Sequence, residues 1–157
     1  MVRLQKTKTL QNTLNAFRQE VINGVIQYRI ENNTKWSKSA DEKDYPKVIT
    51  ACEHSSVTEP GRSERGRSKA SRVPSLHKDI TKALENVAPP DVIVPQTKEG
   101  FHYGTCAEDD AATRVLNRLD KKNLQMPALN ELNFIQPIRP RTLEIVPCCV
   151  VCEDIFG

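Results

Sequence analysis

Residues 104–112 read GTCAEDDAA, and residues 147–157 read PCCVVCEDIFG. Each stretch sets cysteine immediately ahead of a helical pattern. After Cys106, the residues Ala107, Ala111, Val115, Leu116 and Leu119 recur at helical spacing and mark the buried face of one helix. Asp109 and Asp110 fall in its first turn, where carboxylates suit the positive end of the helix dipole. Ahead of the second stretch, TLEIV at 142–146 has the composition of a strand and runs straight into the cysteines and a short closing helix.

The pattern extends back to residue 75. SLHKDITKALENV, 75–87, offers Ser75 as an N-cap after Pro74, with Leu76, Ile80, Ala83, Leu84 and Val87 on one face. Ala88, Pro89 and Pro90 stop that helix. DVIVP at 91–95 is a short apolar strand, and EGFHYGT at 99–105 is a second strand or a turn. LNFIQPI at 132–138 follows a loop that holds Pro127. The order is helix, strand, strand, helix, strand, short helix, an α/β pattern around a small mixed sheet.

Upstream the character changes. TLQNTLNAFRQEVINGVIQYRI, 9–30, puts Leu10, Leu14, Phe17, Val21, Val25 and Tyr28 on one helical stripe, weakened at Gly24. A packing helix is the expected role. Residues 31–74 are polar and contain Pro46, Pro60 and Pro74; only KVITA, 47–51, suggests a strand. From Arg62 to Arg72 basic residues alternate with Gly and Ser, a composition that cannot bury a core. The expected division is an N-terminal helical segment at 1–30, a flexible, partly disordered linker at 31–74, and an α/β domain at 75–157.

Composition limits the function classes. In 157 residues the hydrophobic share is 38% and the aromatic share 5%, which predicts one small core and much loop. No apolar run approaches the roughly 18 residues of a membrane span, and the N-terminus has no apolar signal core. A cytoplasmic protein, or an effector delivered without a signal peptide, is expected, with no membrane partner. The net charge of +3 comes from a basic excess in the first hundred residues. That excess suits nucleic acid or a solvated linker equally, and no aromatics are interleaved with it. The chain has five cysteines, an odd number, and four of them lie after residue 100. Without a signal sequence, metal or redox chemistry is expected rather than a disulfide framework.

Cys106, Cys149 and Cys152 can supply three thiolates. The two-residue gap in Cys149-Val-Val-Cys152 lets both sulfurs reach one tetrahedral ion. Helix starts favour the thiolate form. Three ligands leave a fourth position for water, which a metal can ionise near neutral pH. Glu108, in the first turn after Cys106, is placed to move that water's proton to a substrate nitrogen. Such chemistry at an amidine-like ring carbon is hydrolytic deamination.

These residues carry a resemblance. Cys106-Ala107-Glu108, followed by Pro147 and a cysteine pair, resembles the cytidine deaminase superfamily, whose pattern is His or Cys, any residue, Glu, then Pro-Cys-x-x-Cys. The Gly104-Thr105-Cys106-Ala107-Glu108 run and the closing Cys-x-x-Cys-x-x-Ile-Phe resemble the YwqJ-like branch of bacterial toxin-type deaminases. The resemblance covers residues 75–157. It implies a three-layer α/β/α sandwich with one zinc, held by Cys106, Cys149 and Cys152, and Glu108 as proton shuttle. It further implies a nucleobase-containing substrate, free or in nucleic acid, and for a toxin an immunity protein as partner. His102 and Tyr103, just ahead of the zinc helix, are candidates to line the pocket and stack on a base.

Two questions stay open at this level. Pro147 is followed by Cys148, so the ligand pair is either Cys149 with Cys152 or Cys148 with Cys152. The metal site is also either open and catalytic, or closed by Cys148 or His102 in a zinc-stabilised binding module.

Overall fold

In the computed structural model of the chain, residues 1–31, 45–63, 76–87, 93–94, 101–102 and 104–157 are described. The elements in chain order are β1 (Arg3–Leu4), α1 (Lys8–Glu31), β2 (Ile49–His54), β3 (Val57–Arg62) and α2 (Lys78–Val87). They continue with β4 (Ile93–Val94), β5 (Phe101–His102), α3 (Ala107–Lys121), a 3-10 turn (Leu129–Glu131), β6 (Asn133–Phe134) and α4 (Val150–Phe156). The class is α/β. A four-stranded mixed sheet runs in the order β1-β6-β2-β3, and β4 and β5 form a separate antiparallel pair. Among the described residues no helix is long and apolar enough to cross a membrane.

The β2–β3 hairpin supplies the two longest strands of the sheet. Its turn is the pair Ser55 and Ser56, both left-handed at φ 50° and 63°. A two-residue turn of that hand matches the twist of the flanking strands and sets the register His54 opposite Val57. β3 carries Pro60, tolerated because β3 is an edge of the sheet.

Successive strand residues face opposite sides, and here both sides are covered. Ile49 and Ala51 of β2 and Ile135, just past β6, pack with Leu10, Leu14, Val21 and Val25 of α1. Cys52 and Phe134 face the other way, onto Ile80 and Leu84 of α2, Ala111, Val115, Leu116 and Leu119 of α3, and Val151, Cys152, Ile155 and Phe156 of α4. Phe134 and Phe156 meet with ring centroids 5.0 Å apart, seating α4 on the sheet. Such pairs add about 0.5–1.5 kcal/mol beyond burial.

Several expectations are corrected. The linker read at 31–74 contains β2 and β3, and the core under α3 includes Val2, Cys52 and Val57. The unit read at 75–157 therefore takes most of its sheet from upstream. The signal was weak because VTEPGR is an edge strand that buries only Val57 and Gly61, and its Pro and Gly resemble loop residues. TLEIV is not a strand: Leu143 turns left-handed at φ 66°, and only Ile145 bridges Ile138. Residues 64–75, including most of the basic run and Ser75, lie outside the described residues.

His77 performs the capping expected of Ser75. The Ile80 and Thr81 N–H groups donate to its carbonyl, each at 3.0 Å. The Asp79 N–H donates to its Nδ1 at 3.1 Å, so the ring proton sits on Nε2 and faces the Asp120 carboxylate at 2.7 Å. Its backbone N–H donates to Thr113 Oγ1 at 3.1 Å. A buried histidine thus ties α2 to α3.

β3 grips the first turn of α3 more closely still. A Cβ at Gly61 would lie 2.2 Å from the Ala111 nitrogen and 2.5 Å from the Ala107 carbonyl oxygen. The next residue, Arg62, donates its N–H to Asp110 Oδ2 at 2.9 Å. Both obstructing atoms are backbone, so Gly61→Ala forces the strand and helix apart. The expected cost is about 1–3 kcal/mol, read as a lower urea midpoint at unchanged slope.

Candidate metal centre

The two cysteine stretches become two helix starts. Cys106 is the N-cap of α3 at φ −75° and ψ 153°, and Cys149 is the N-cap of α4 at φ −73° and ψ 162°. Ordinary N-caps are Ser, Thr, Asp or Asn, whose oxygens accept from the free N–H groups of the first turn. Cys149 follows that rule loosely, its Sγ accepting from the Cys152 N–H at 3.4 Å. Cys106 makes no side-chain cap bond and lies with its Sγ 3.3 Å from that of Cys149.

The sulfurs of Cys106, Cys149 and Cys152 all lie within 4.8 Å of one another. A tetrahedral ion with thiolate bonds of about 2.3 Å sets its sulfurs about 3.8 Å apart, within that spread. Cys148 stands outside the cluster, half-buried, with its thiol hydrogen-bonded to the Glu108 carboxyl. The geometry therefore brings Cys149, not Cys148, together with Cys106 and Cys152.

The charges are crowded. Hydrogen bonds from the Cys106 and Cys152 thiols pull the Cys149 thiol down to about 3, making it a thiolate. Cys106 is raised mainly by its bond to that thiolate. Cys152 is raised by its bonds to Cys106 and then Cys149. Glu108 is 4% exposed, and burial, then the Cys149 charge, pushes its carboxyl up to about 7. Asp109 is 1% exposed and is raised well above the usual range by burial, then by Cys149 and Glu108. Its Oδ1 is buried with no hydrogen-bond partner among the described residues.

Three thiols and two buried carboxyls thus converge on two positive helix ends. Helix dipoles offset part of that charge, about half a unit each. A cation could offset the rest, and the all-sulfur donor set suits a soft or borderline metal. The residues fit a metal ion held by Cys106, Cys149 and Cys152, with Glu108 beside it.

The other candidates fall elsewhere. His102 lies in β5, its backbone opposite Ile93, but its side chain is outside the described residues, as is all of Tyr103. A separate open cleft is lined by Arg3, His54, Glu131 and Asn133 among others, and no cysteine lines it. Two residues near the site carry more than the sequence reading gave them. Asp109 looked like a dipole charge, although Cys106-x-x-Asp109 has the spacing of a capping box. Cys148 looked like a rival ligand and is instead the neighbour of Glu108.

No protein-family model, curated relative or solved structure matches the chain. The site stands on its own geometry.

That geometry sorts the cysteines. Metal analysis of purified variants is expected to find one ion per chain in the wild type and in Cys148→Ala. Cys106→Ala, Cys149→Ala and Cys152→Ala each lose it. Equal loss in Cys148→Ala would reverse the assignment of the pair.

Proposed function

We propose that the chain is a zinc-dependent hydrolytic deaminase acting on a nucleobase, cytosine or adenine, in a nucleotide or nucleic acid. Its scaffold on this reading is the three-layer α/β/α sandwich that the deaminase resemblance implies. Glu108 carries the reading: a carboxyl buried beside three sulfurs that can hold a metal, and poised near 7. Zinc is a metal that thiolates at helix starts suit, and when bound it supplies the Lewis acidity that lets water attack at neutral pH.

Glu108 moves the protons. Its carboxylate takes one from the attacking water as oxygen bonds to the ring carbon bearing the amino group. The C=N electron pair shifts to the adjacent ring nitrogen, and Glu108 delivers the proton there. The second proton leaves the new hydroxyl and passes through the same carboxylate to the amino group. The C–N bond then breaks, ammonia departs and a ring carbonyl remains. A carboxyl poised near 7 both takes and gives protons at neutral pH, which an exposed glutamate near 4 does poorly as an acid. Burial limits exchange of that proton with bulk water.

A role as a delivered toxin effector, with an immunity protein as partner, follows from the resemblance in the GTCAE and CxxCxxIF runs. Cys148 favours a second reading. A half-buried thiol in contact with Glu108 is a candidate fourth sulfur, which would close the site and leave a zinc-stabilised binding module.

Ammonia release separates the two. Zinc-loaded protein is expected to release ammonia from at least one of cytidine, adenosine, their nucleotides, single-stranded DNA or RNA. Glu108→Ala is expected to keep its zinc and lose roughly 10²–10⁴-fold in rate. A zinc-loaded wild type that turns over none of these substrates, or a Glu108→Ala variant as fast as wild type, would overturn the deaminase reading.

A further inference from the structure

The two helix starts have the same plan. In α4 the N-cap is Cys149 and the third helical residue is Cys152; in α3 the N-cap is Cys106 and the third helical residue is Asp109. One helix offers two sulfurs at those positions, the other a sulfur and a carboxylate. The first turn of any helix leaves N–H groups that need acceptors. In a capping box the N-cap side chain serves the third residue's N–H, and the third residue's side chain reaches back to the N-cap N–H. In α3 only the second half is made. The Cys106 sulfur makes no cap bond and points to Cys149, while the Asp109 carboxylate accepts from the Cys106 N–H.

We propose that Asp109 is the positioning residue of the metal centre, holding the Cys106 backbone at the helix tip so that its sulfur faces Cys149 and Cys152 instead of capping its own helix. The inference rests on the metal-binding part of the reading above and not on the deaminase part. Three observations support it. Asp109 is 1% exposed, so its carboxyl is committed to the interior. Among the described residues its buried Oδ1 has no hydrogen-bond partner. Its neighbours in sequence are otherwise engaged: Glu108 contacts Cys148, and Asp110 is bonded to Arg62 of β3 and to Arg114. A residue that fixes the orientation of a metal ligand typically changes affinity about 10–100-fold when removed.

The test uses the full chain titrated with cobalt(II), whose thiolate charge-transfer band counts bound sulfurs, and with zinc against a chromophoric chelator. Asp109→Ala is expected to weaken zinc binding about 10–100-fold. It is also expected to lower the cobalt band by about a third, the share of one sulfur in three. Asp109→Asn keeps an oxygen acceptor of the same shape and is expected to restore the band and bring affinity to within about threefold of wild type. A general loss of fold would instead lower the urea midpoint of the metal-free protein without the one-third signature. Wild type that takes up neither metal would remove the metal reading and this inference with it. Wild type that binds while Asp109→Ala binds equally well, or while Asp109→Asn is as weak as Asp109→Ala, would overturn the inference alone.

Discussion

Sulfur stands 3.3 Å from sulfur where α3 and α4 begin, and that approach is the constraint on which the structure turns. Two helix N-termini repel, and three thiols with two buried carboxyls repel once ionised. Each set makes the other tolerable. The dipoles favour anions, and the anions fill the orphan N–H positions of the first turns. Hydrogen bonds from the neighbouring thiols hold the Cys149 thiol low, while burial raises both carboxyls above their ordinary range. Bringing five acidic groups together this way is costly for folding alone, since a buried ionisable group is favourable only when partnered. Such a cost concentrated at one point is the signature of a site rather than of a core.

The scaffold serves this approach through backbone contacts more than through side-chain bulk. Gly61 lets β3 lie against the α3 backbone, and the Arg62 N–H to Asp110 bond fixes the axial position of the helix. Arg118 of α3 reaches Glu59 of β3 at 3.2 Å, one more tie along the same edge. On the other side, Phe156 on Phe134 seats α4. The segment entering it is folded back, with the Val146 N–H donating to the Pro137 carbonyl at 2.9 Å and Gln136 Nε2 to the Val146 carbonyl at 3.0 Å. Cys149 is therefore placed from both directions along the chain. A shift at the hairpin moves Cys106, and a shift at the 137–146 fold moves Cys149.

Much of this was legible in the sequence where the pattern is local. The periodic faces of α1, α2 and α3 lie largely where their apolar residues mark them, because helix amphipathicity repeats often enough to be read; Val87 at the end of α2 is instead 41% exposed, and the Tyr28 side chain lies outside the described residues. The cysteine spacing and the glutamate beside it were legible for the same reason. The hairpin at 49–62 was not, because an edge strand with Pro60 and Gly61 spends its residues on backbone contacts that leave no hydrophobic alternation. TLEIV misled in the opposite sense: its β-forming composition is overridden by a left-handed Leu143 and by the fold-back that Gln136 stabilises. The two-residue gap to Cys152 already favours Cys149 over Cys148, and the clustered sulfurs of Cys106, Cys149 and Cys152 agree with it.

The run Glu108-Asp109-Asp110 shows how one helix turn divides its work. Three consecutive acids on a helix point in directions about 100° apart, so they cannot share one role. Glu108 turns toward the sulfurs and Cys148, Asp109 back toward the N-cap, and Asp110 out toward β3. The helix dipole accounts for the acidity of all three positions but not for the burial of two. An exposed acid would meet the dipole equally well at no desolvation cost. Burial of Glu108 therefore calls for a partner chemistry in which a proton moves or a cation sits, and burial of Asp109 for a geometry that must be held. Asp110, partly exposed, needs no such account: it pairs with Arg114 at 3.2 Å and accepts from the Arg62 N–H while staying within reach of solvent.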